Sequence, residues 1–64
     1  MEKHKAKLFY TNIDGEDTYL IAEGEDVGKA GQNAVNEFKK IQKIYGEQNL
    51  PISCIQRMNL IVDN

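Results

Sequence analysis

The sequence is poor in the residues that usually build disulfide scaffolds, zinc sites and catalytic triads. Its 64 residues include one cysteine, one histidine, one proline and no tryptophan. A single cysteine excludes an internal disulfide and a cysteine-rich zinc site, and a single histidine excludes a histidine pair. We therefore expect no metal, no cofactor and no enzymatic activity.

Long apolar runs are also missing. No stretch approaches the roughly 20 apolar residues of a membrane-spanning helix. The basic start at residues 1–7 does not lead into the apolar core of a signal peptide. These absences predict a cytoplasmic protein that does not enter a membrane.

What is present is the composition of an ordinary globular domain, with 41% hydrophobic residues, 28% charged residues and a net charge of −2. Residues 1–64 are predicted to form one domain, because chains of this length lie near the lower limit for an independent core. Small domains without disulfides or metals often gain stability from a partner. A second copy of the chain is the partner we expect first.

Two β-favouring segments, at residues 6–13 and 18–23, flank an Asp14-Gly15 pair. Such a pair predicts a β-hairpin, since glycine accepts the positive φ that tight turns require. Residues 1–5 are expected to be a flexible lead-in.

The register of the hairpin depends on the length of its loop. A two-residue loop would place Phe9 opposite Leu20, and a four-residue loop would place it opposite Ala22. Both divide the side chains in the same way: one face has Phe9, Thr11, Ile13, Leu20 and Ala22, and the other has Leu8, Tyr10, Asn12, Tyr19, Ile21 and Glu23.

Residues 27–45 have the periodicity of an amphipathic helix. Asp26 is a suitable N-cap, and Gly46 is a suitable stop. The apolar side comprises Val27, Ala30, Gly31, Ala34, Val35, Phe38, Ile41 and Tyr45. The opposite side includes four residues that we call the lysine stripe: Lys29, Lys39, Lys40 and Lys43. The stripe could contact phosphates, but the net charge of −2 favours an ordinary solvated surface.

A third strand is predicted over residues 52–62, after a loop that ends at Pro51, with a β-bulge near Gln56-Arg57. The order ββαβ predicts an α+β fold, with a three-stranded, mainly antiparallel sheet and one amphipathic helix packed on one face. We prefer the strand order 2-1-3, in which the third strand pairs with the first. The alternative pairs the third strand in parallel with the second, through a right-handed connection.

The patterns around the other residues with reactive or ionisable side chains favour structural roles for them. His4 lies among lysines in the expected lead-in, which suits a solvated tail. Cys54 lies on the apolar side of the third strand, where a lone cysteine is usually a core residue. Six acidic residues between Lys7 and Lys29 fall into two groups at opposite ends of the predicted hairpin, so they do not converge on a metal site.

One helix can cover only one face of a three-stranded sheet, and apolar residues occur on both faces. If the helix covers the Phe9 side, the uncovered face has six large apolar or aromatic side chains: Leu8, Tyr10, Tyr19, Ile21, Ile55 and Ile61. An exposed patch of this kind usually marks an interface. We therefore predict a protein-binding module that acts through this face, most simply as a homodimer. The alternative function is nucleic-acid binding through the open sheet or the lysine stripe.

In size and organisation the chain resembles the short accessory proteins of phages and mobile elements, many of which bind and inhibit host proteins. The resemblance implies an inhibitory protein contact and assigns no residue.

Overall fold

The chain folds into a sheet of three strands with one helix packed against it. A computed structural model describes residues 4–62. Its elements are β1 (His4–Thr11), β2 (Asp17–Gly24), α1 (Val27–Tyr45), a 3-10 turn (Ile52–Cys54) and β3 (Ile55–Val62). The strand order is β2-β1-β3 and both pairs are antiparallel, so the predicted α+β class and 2-1-3 order are confirmed. Within residues 4–62, no helix combines the length and the apolar character that crossing a bilayer requires.

The strands differ from the prediction at their ends. β1 begins at His4, because this central strand pairs there with Gly24 on one side and Val62 on the other. The expected flexible lead-in is therefore wrong for residues 4 and 5, and its first three residues lie outside the described chain. The third strand begins later than predicted, at Ile55, because the preceding residues close a 3-10 turn in which the Cys54 N–H donates to the Pro51 carbonyl at 3.0 Å.

The orientation of β1 relative to β2 is the reverse of the one predicted. Phe9 lies opposite Tyr19, and Leu8 lies opposite Leu20, so both predicted registers are wrong. Residues 12–16 connect the two strands, whereas both predictions assume an even number of connecting residues. A difference of one residue moves every side chain of a strand to the other face. The β1 residues buried beneath α1 are Ala6, Leu8 and Tyr10.

Asn12 explains why the loop has three residues. Its N–H donates to the Glu16 carbonyl at 2.8 Å, and its carbonyl accepts from the Gly15 N–H at 3.0 Å. Its side-chain Oδ1 accepts from the N–H groups of Asp14 and Glu16, each at 2.9 Å. Gly15 has φ +80° and occupies the third loop position, as glycine does in three-residue hairpin loops with a bulge.

Replacing Asn12 with Ala is expected to lower the stability of the hairpin, because two backbone N–H groups lose their acceptor. Since water can reach this loop, the cost should be about 1 kcal/mol, or about 4–8 °C in melting temperature for a domain of this size. Thermal unfolding followed by circular dichroism measures the shift. Asn36→Ala, on the exposed side of α1, is the matched control and should leave the melting temperature unchanged or raise it. Equal melting temperatures for Asn12→Ala and the wild type would contradict this account of the loop.

α1 occupies the predicted range because both of its ends are capped. The Asp26 side chain accepts from the Lys29 N–H at 2.7 Å. At the other end Gly46 has φ +91°, and its N–H donates to the Gln42 carbonyl at 2.6 Å. These are the N-cap and the glycine stop that the sequence predicts.

The core lies between α1 and the sheet. Phe38 is fully buried, and its ring meets the edge of the Tyr10 ring at a centroid distance of 5.3 Å. Gln42 is the one buried polar residue among those described, and its Nε2 donates to the Leu50 carbonyl at 2.9 Å. The other buried apolar side chains are Ala6, Leu8, Ala22, Ala30, Ala34 and Leu50. The small alanines let the helix lie close to β1 and β2.

β3 is the strand that α1 covers least. Its register against β1 shifts by one residue between Phe9 and Tyr10, which leaves Gln56 as the extra residue of a bulge, where the sequence predicts one. Beyond the bulge, Met58 on the helix side is half-buried and Leu60 is 53% exposed.

Candidate functional site

The face of the sheet that points away from α1 is covered by no described element. We call it the open face. It presents alternate residues of the three strands: Lys5, Lys7, Phe9 and Thr11 from β1, Asp17, Tyr19, Ile21 and Glu23 from β2, and Arg57, Asn59 and Ile61 from β3.

Two aromatic rings lie at the centre of the open face, each with a cation above it. Phe9 and Tyr19 are directly opposite each other across β1 and β2, and their ring centroids are 5.8 Å apart. The Lys7 ammonium lies 4.1 Å from the Tyr19 centroid and 5.4 Å from the Phe9 centroid. The Arg57 guanidinium carbon lies 4.3 Å from the Phe9 centroid. We call these four residues the cation–aromatic cluster.

The cluster keeps its charges at the surface. A cation above an aromatic face is attracted by the ring electrons while its charge remains in contact with water. Tyr19 is 51% exposed and Arg57 is exposed, whereas Lys7 and Phe9 are half-buried. The rings therefore hold two positive charges in defined positions on a flat surface.

Further charges lie around the cluster. Lys5 is the third cation of the open face among the described residues, and it lies opposite Glu23 on β2. Asp17 lies at the other end of β2, where the Gln56 amide donates to its carboxylate at 2.7 Å and to the Thr11 hydroxyl at 3.0 Å. The acidic groups thus lie towards the two ends of the face, and its middle is cationic.

Only half of the predicted partner-binding residues lie on the open face. Tyr19, Ile21 and Ile61 do, with exposures of 51%, 53% and 42%. Leu8 and Tyr10 are buried beneath α1, which corrects their predicted placement and follows from the odd-numbered loop. Ile55 is half-buried against the core, because the bulge turns it to the helix side opposite Tyr10.

On β1, the open face has Lys5, Lys7 and Phe9 in place of the predicted Leu8 and Tyr10. A signal in the sequence could have found them. The predicted arrangement would put Lys5 and Lys7 beneath the helix, since they share a face with Phe9, and lysines are almost never buried without a partner. The alternation of lysines with Ala6 and Leu8 in β1 indicates the correct orientation.

We assign structural roles to the titratable groups on the helix side of the sheet, because they are buried or half-buried. Burial, with smaller contributions from Cys54 and Tyr45, raises the pKa of the Tyr10 phenol. Burial also raises the pKa of the Cys54 thiol, so the thiol is protonated at neutral pH and packs against the core. His4 belongs to β1 instead of a solvated tail, and its Nδ1 is buried with no hydrogen-bond partner among the described residues. Within residues 4–62, no three His, Cys, Asp or Glu side chains group as metal ligands.

The lysine stripe lies on the exposed surface of α1, so it faces away from the open face. The Lys40 ammonium is 2.9 Å from the Glu37 carboxylate, which reduces the positive charge there. Ten residues separate Lys29 from Lys39, about 15 Å along a helix. The stripe and the open face lie on opposite sides of the molecule, so they cannot contact the same short ligand.

Comparisons with protein-family models, curated proteins and solved structures give no match to this chain. Its function is therefore inferred from the geometry and charge of its own surfaces.

Proposed function

We propose that this protein binds single-stranded nucleic acid on its open face. The observation that carries the proposal is the cation–aromatic cluster, in which the exposed Tyr19 ring, the half-buried Phe9 ring and two cations lie side by side on an uncovered sheet face. Proteins that bind single strands combine these two elements, because cations attract phosphates and flat π-systems stack on bases.

The two rings offer different stacking surfaces. Tyr19 is half-exposed, so a base can stack on it beside the Lys7 ammonium. Phe9 lies beneath the Arg57 guanidinium, whose own plane is a surface on which bases stack. Sheet platforms of this kind bind about two or three bases, and strands of about 26 Å have room for that number.

Single strands suit this surface better than duplex DNA. The major groove admits a helix or a two-stranded ribbon, and a sheet of three strands is wider than either. Bases are accessible for stacking only where the strand is unpaired.

The net charge of −2 is compatible with this role because the acidic residues lie mostly elsewhere. They are found at the hairpin loop and at the start of α1, where Asp14, Glu16, Glu25 and Asp26 are exposed. Phosphates are attracted to the middle of the open face and repelled from its ends. This arrangement favours a short binding site with modest affinity.

The proposal is tested by fluorescence polarisation with a labelled oligothymidylate of about 12 nucleotides. We expect a dissociation constant of about 1–100 µM at physiological salt, the range of binding without sequence specificity, and tighter binding at low salt. With the two cations of the cluster as phosphate contacts, the logarithm of the binding constant should fall with that of the salt concentration with a slope of about −1.4.

An abasic oligonucleotide of the same length is the matched control for stacking. It should bind at least about 30-fold more weakly, because each of the two or three stacked bases contributes about 1–3 kcal/mol. Equal affinity for both ligands would show that the bases do not stack on the protein, and that only electrostatic attraction between the cations and the phosphates holds the ligand. No binding of either ligand at low salt would overturn the proposal.

Contact with a protein is the second candidate function, and exposed side chains on the same face favour it. Tyr19, Ile21 and Ile61 provide apolar area beside the cations, so a matching protein surface would have acidic side chains. A polyglutamate peptide with as many charges as the oligonucleotide separates the two candidates. Tighter binding of the peptide would favour the protein partner.

A further inference from the structure

β3 forms an edge of the sheet, and beyond its bulge at Gln56 it lacks the features that usually protect such an edge. It is eight residues long, contains no proline and has a single charged residue, Arg57. Natural edge strands are commonly short, charged, interrupted by proline or covered by another element. α1 covers β3 least of the three strands.

β2, the opposite edge, is protected in ways that β3 is not. It has Asp17 at its start and Glu23 near its end, and α1 packs along it more than along any other strand. The Asn33 side-chain amide also donates to the backbone carbonyl of Glu23 at 2.7 Å. The contrast makes β3 the edge available to another strand.

The helix side of β3 is also incompletely covered. Gly31 of α1 lies nearest to it, and a Cβ added there would be 3.4 Å from the Met58 sulfur and 3.7 Å from the Leu60 Cδ2. Leu60 is nonetheless 53% exposed. Met58 and Leu60 therefore form an apolar strip along the unpaired edge, on the face of the sheet that α1 covers only in part.

We infer that β3 pairs antiparallel with β3 of a second copy of this chain. The twofold axis of such a pair is perpendicular to the sheet, so helix-side residues of one copy lie opposite helix-side residues of the other. The two registers with the greatest overlap place either Met58 or Asn59 opposite itself. In both registers Arg57 lies opposite an uncharged residue, Asn59 or Ile61, so this nearly uncharged strand can pair with its own copy without opposing like charges.

Pairing of this kind changes the open face as well as the edge. Both copies present their open faces on the same side of one six-stranded sheet, so two cation–aromatic clusters become parts of one surface. This consequence rests on the proposed nucleic-acid function, and the pairing itself does not. A single strand long enough to span both clusters gains from bivalent contact.

The pairing is tested by light scattering after size exclusion, with no nucleic acid present, at about 100 µM protein. The expected mass is twice the 7.3 kDa of the chain. Leu60→Lys should shift it to the monomer value, because Leu60 lies opposite or diagonal to Met58 of the other copy in both registers, and the lysine replaces this apolar contact with a charge. Ile44→Lys is the matched control, since Ile44 is an apolar side chain 77% exposed on α1, and it should stay dimeric. A monomeric wild type at this concentration would overturn the inference and would leave the nucleic-acid proposal standing.

Cross-linking keeps the test valid if Leu60→Lys does not fold. Asn59→Cys and Met58→Cys, each combined with Cys54→Ser, place the only thiol on the twofold axis of one of the two registers. Directly opposite residues have Cβ atoms about 4.5–5.5 Å apart, close to the distance that a disulfide spans. One of the two variants should oxidise to a covalent dimer, while Ser53→Cys in the same background should not. A dimeric wild type in which neither variant cross-links would overturn pairing through β3.

Discussion

Phe38→Ala is expected to remove most of the stability of this protein. Phe38 is the largest fully buried side chain within residues 4–62, and it contacts the Tyr10 ring on β1. Truncation of a buried phenylalanine costs about 3–5 kcal/mol, because the apolar contact is lost and a cavity remains. At about 0.05–0.15 kcal/mol per residue, a domain of this length has about 3–10 kcal/mol in total. Urea unfolding at 25 °C should therefore show a variant that is largely unfolded or that unfolds at much lower urea concentrations.

The matched control for this prediction is Phe9→Ala. Phe9 is the same residue type in the same sheet, but it is half-buried on the open face and leaves no enclosed cavity when truncated. Its cost should be clearly smaller, at about 1–2 kcal/mol. Similar losses from the two variants would contradict the placement of the core on the Leu8 side of the sheet.

Reversal of two charges on the open face should abolish binding of single strands. The variant Lys7→Glu/Arg57→Glu replaces both cations of the cluster, so the face repels phosphates and loses the guanidinium plane. Affinity for oligothymidylate at low salt should fall by a factor of about 100 or more, since two favourable phosphate contacts become unfavourable. Circular dichroism verifies that the fold is retained, as is expected for changes on an exposed face.

Lys39→Glu/Lys43→Glu is the control with the same change in net charge. These two lysines belong to the lysine stripe on α1, on the other side of the molecule. Their reversal should weaken binding by no more than about threefold, through long-range repulsion that salt screens. If the stripe variant loses binding and the open-face variant keeps it, the ligand is bound by the helix and the assignment of the site is wrong.

Much of the fold could be predicted because several local signals agreed. Asp26 and Gly46 mark the ends of α1, and the periodicity between them is clean, so the range of the helix was predictable to the residue. The bulge near Gln56 was predictable from the interrupted alternation of β3. These features depend on residues that are close together in the sequence.

The hairpin register could not be predicted in the same way, because it depends on where the glycine falls in the loop. Asp14-Gly15 is compatible with a two-residue turn or with the last two positions of a three-residue loop. The Asn12 side chain decides between them by accepting two backbone N–H groups. One residue of difference turned β1 over relative to β2, and this removed Leu8 and Tyr10 from the predicted site.

The site itself was accessible from the sequence only in part. Tyr19, Ile21 and Ile61 were assigned to the uncovered face, and their exposure agrees with that assignment. The contacts of Lys7 and Arg57 with the aromatic rings depend on the pairing of three strands, which places residues from distant parts of the chain side by side. Hydrophobicity alone predicted an apolar patch, whereas the structure has cations beside the exposed apolar side chains.

The most direct test of the central claim is a titration of the ¹⁵N-labelled protein with oligothymidylate, followed through the backbone amide chemical shifts. Nucleic-acid binding by the open face predicts that the largest changes occur at Lys7, Phe9, Tyr19 and Arg57. The amides of the lysine stripe should change little. Changes confined to α1, or none at a saturating ligand concentration, would contradict the claim.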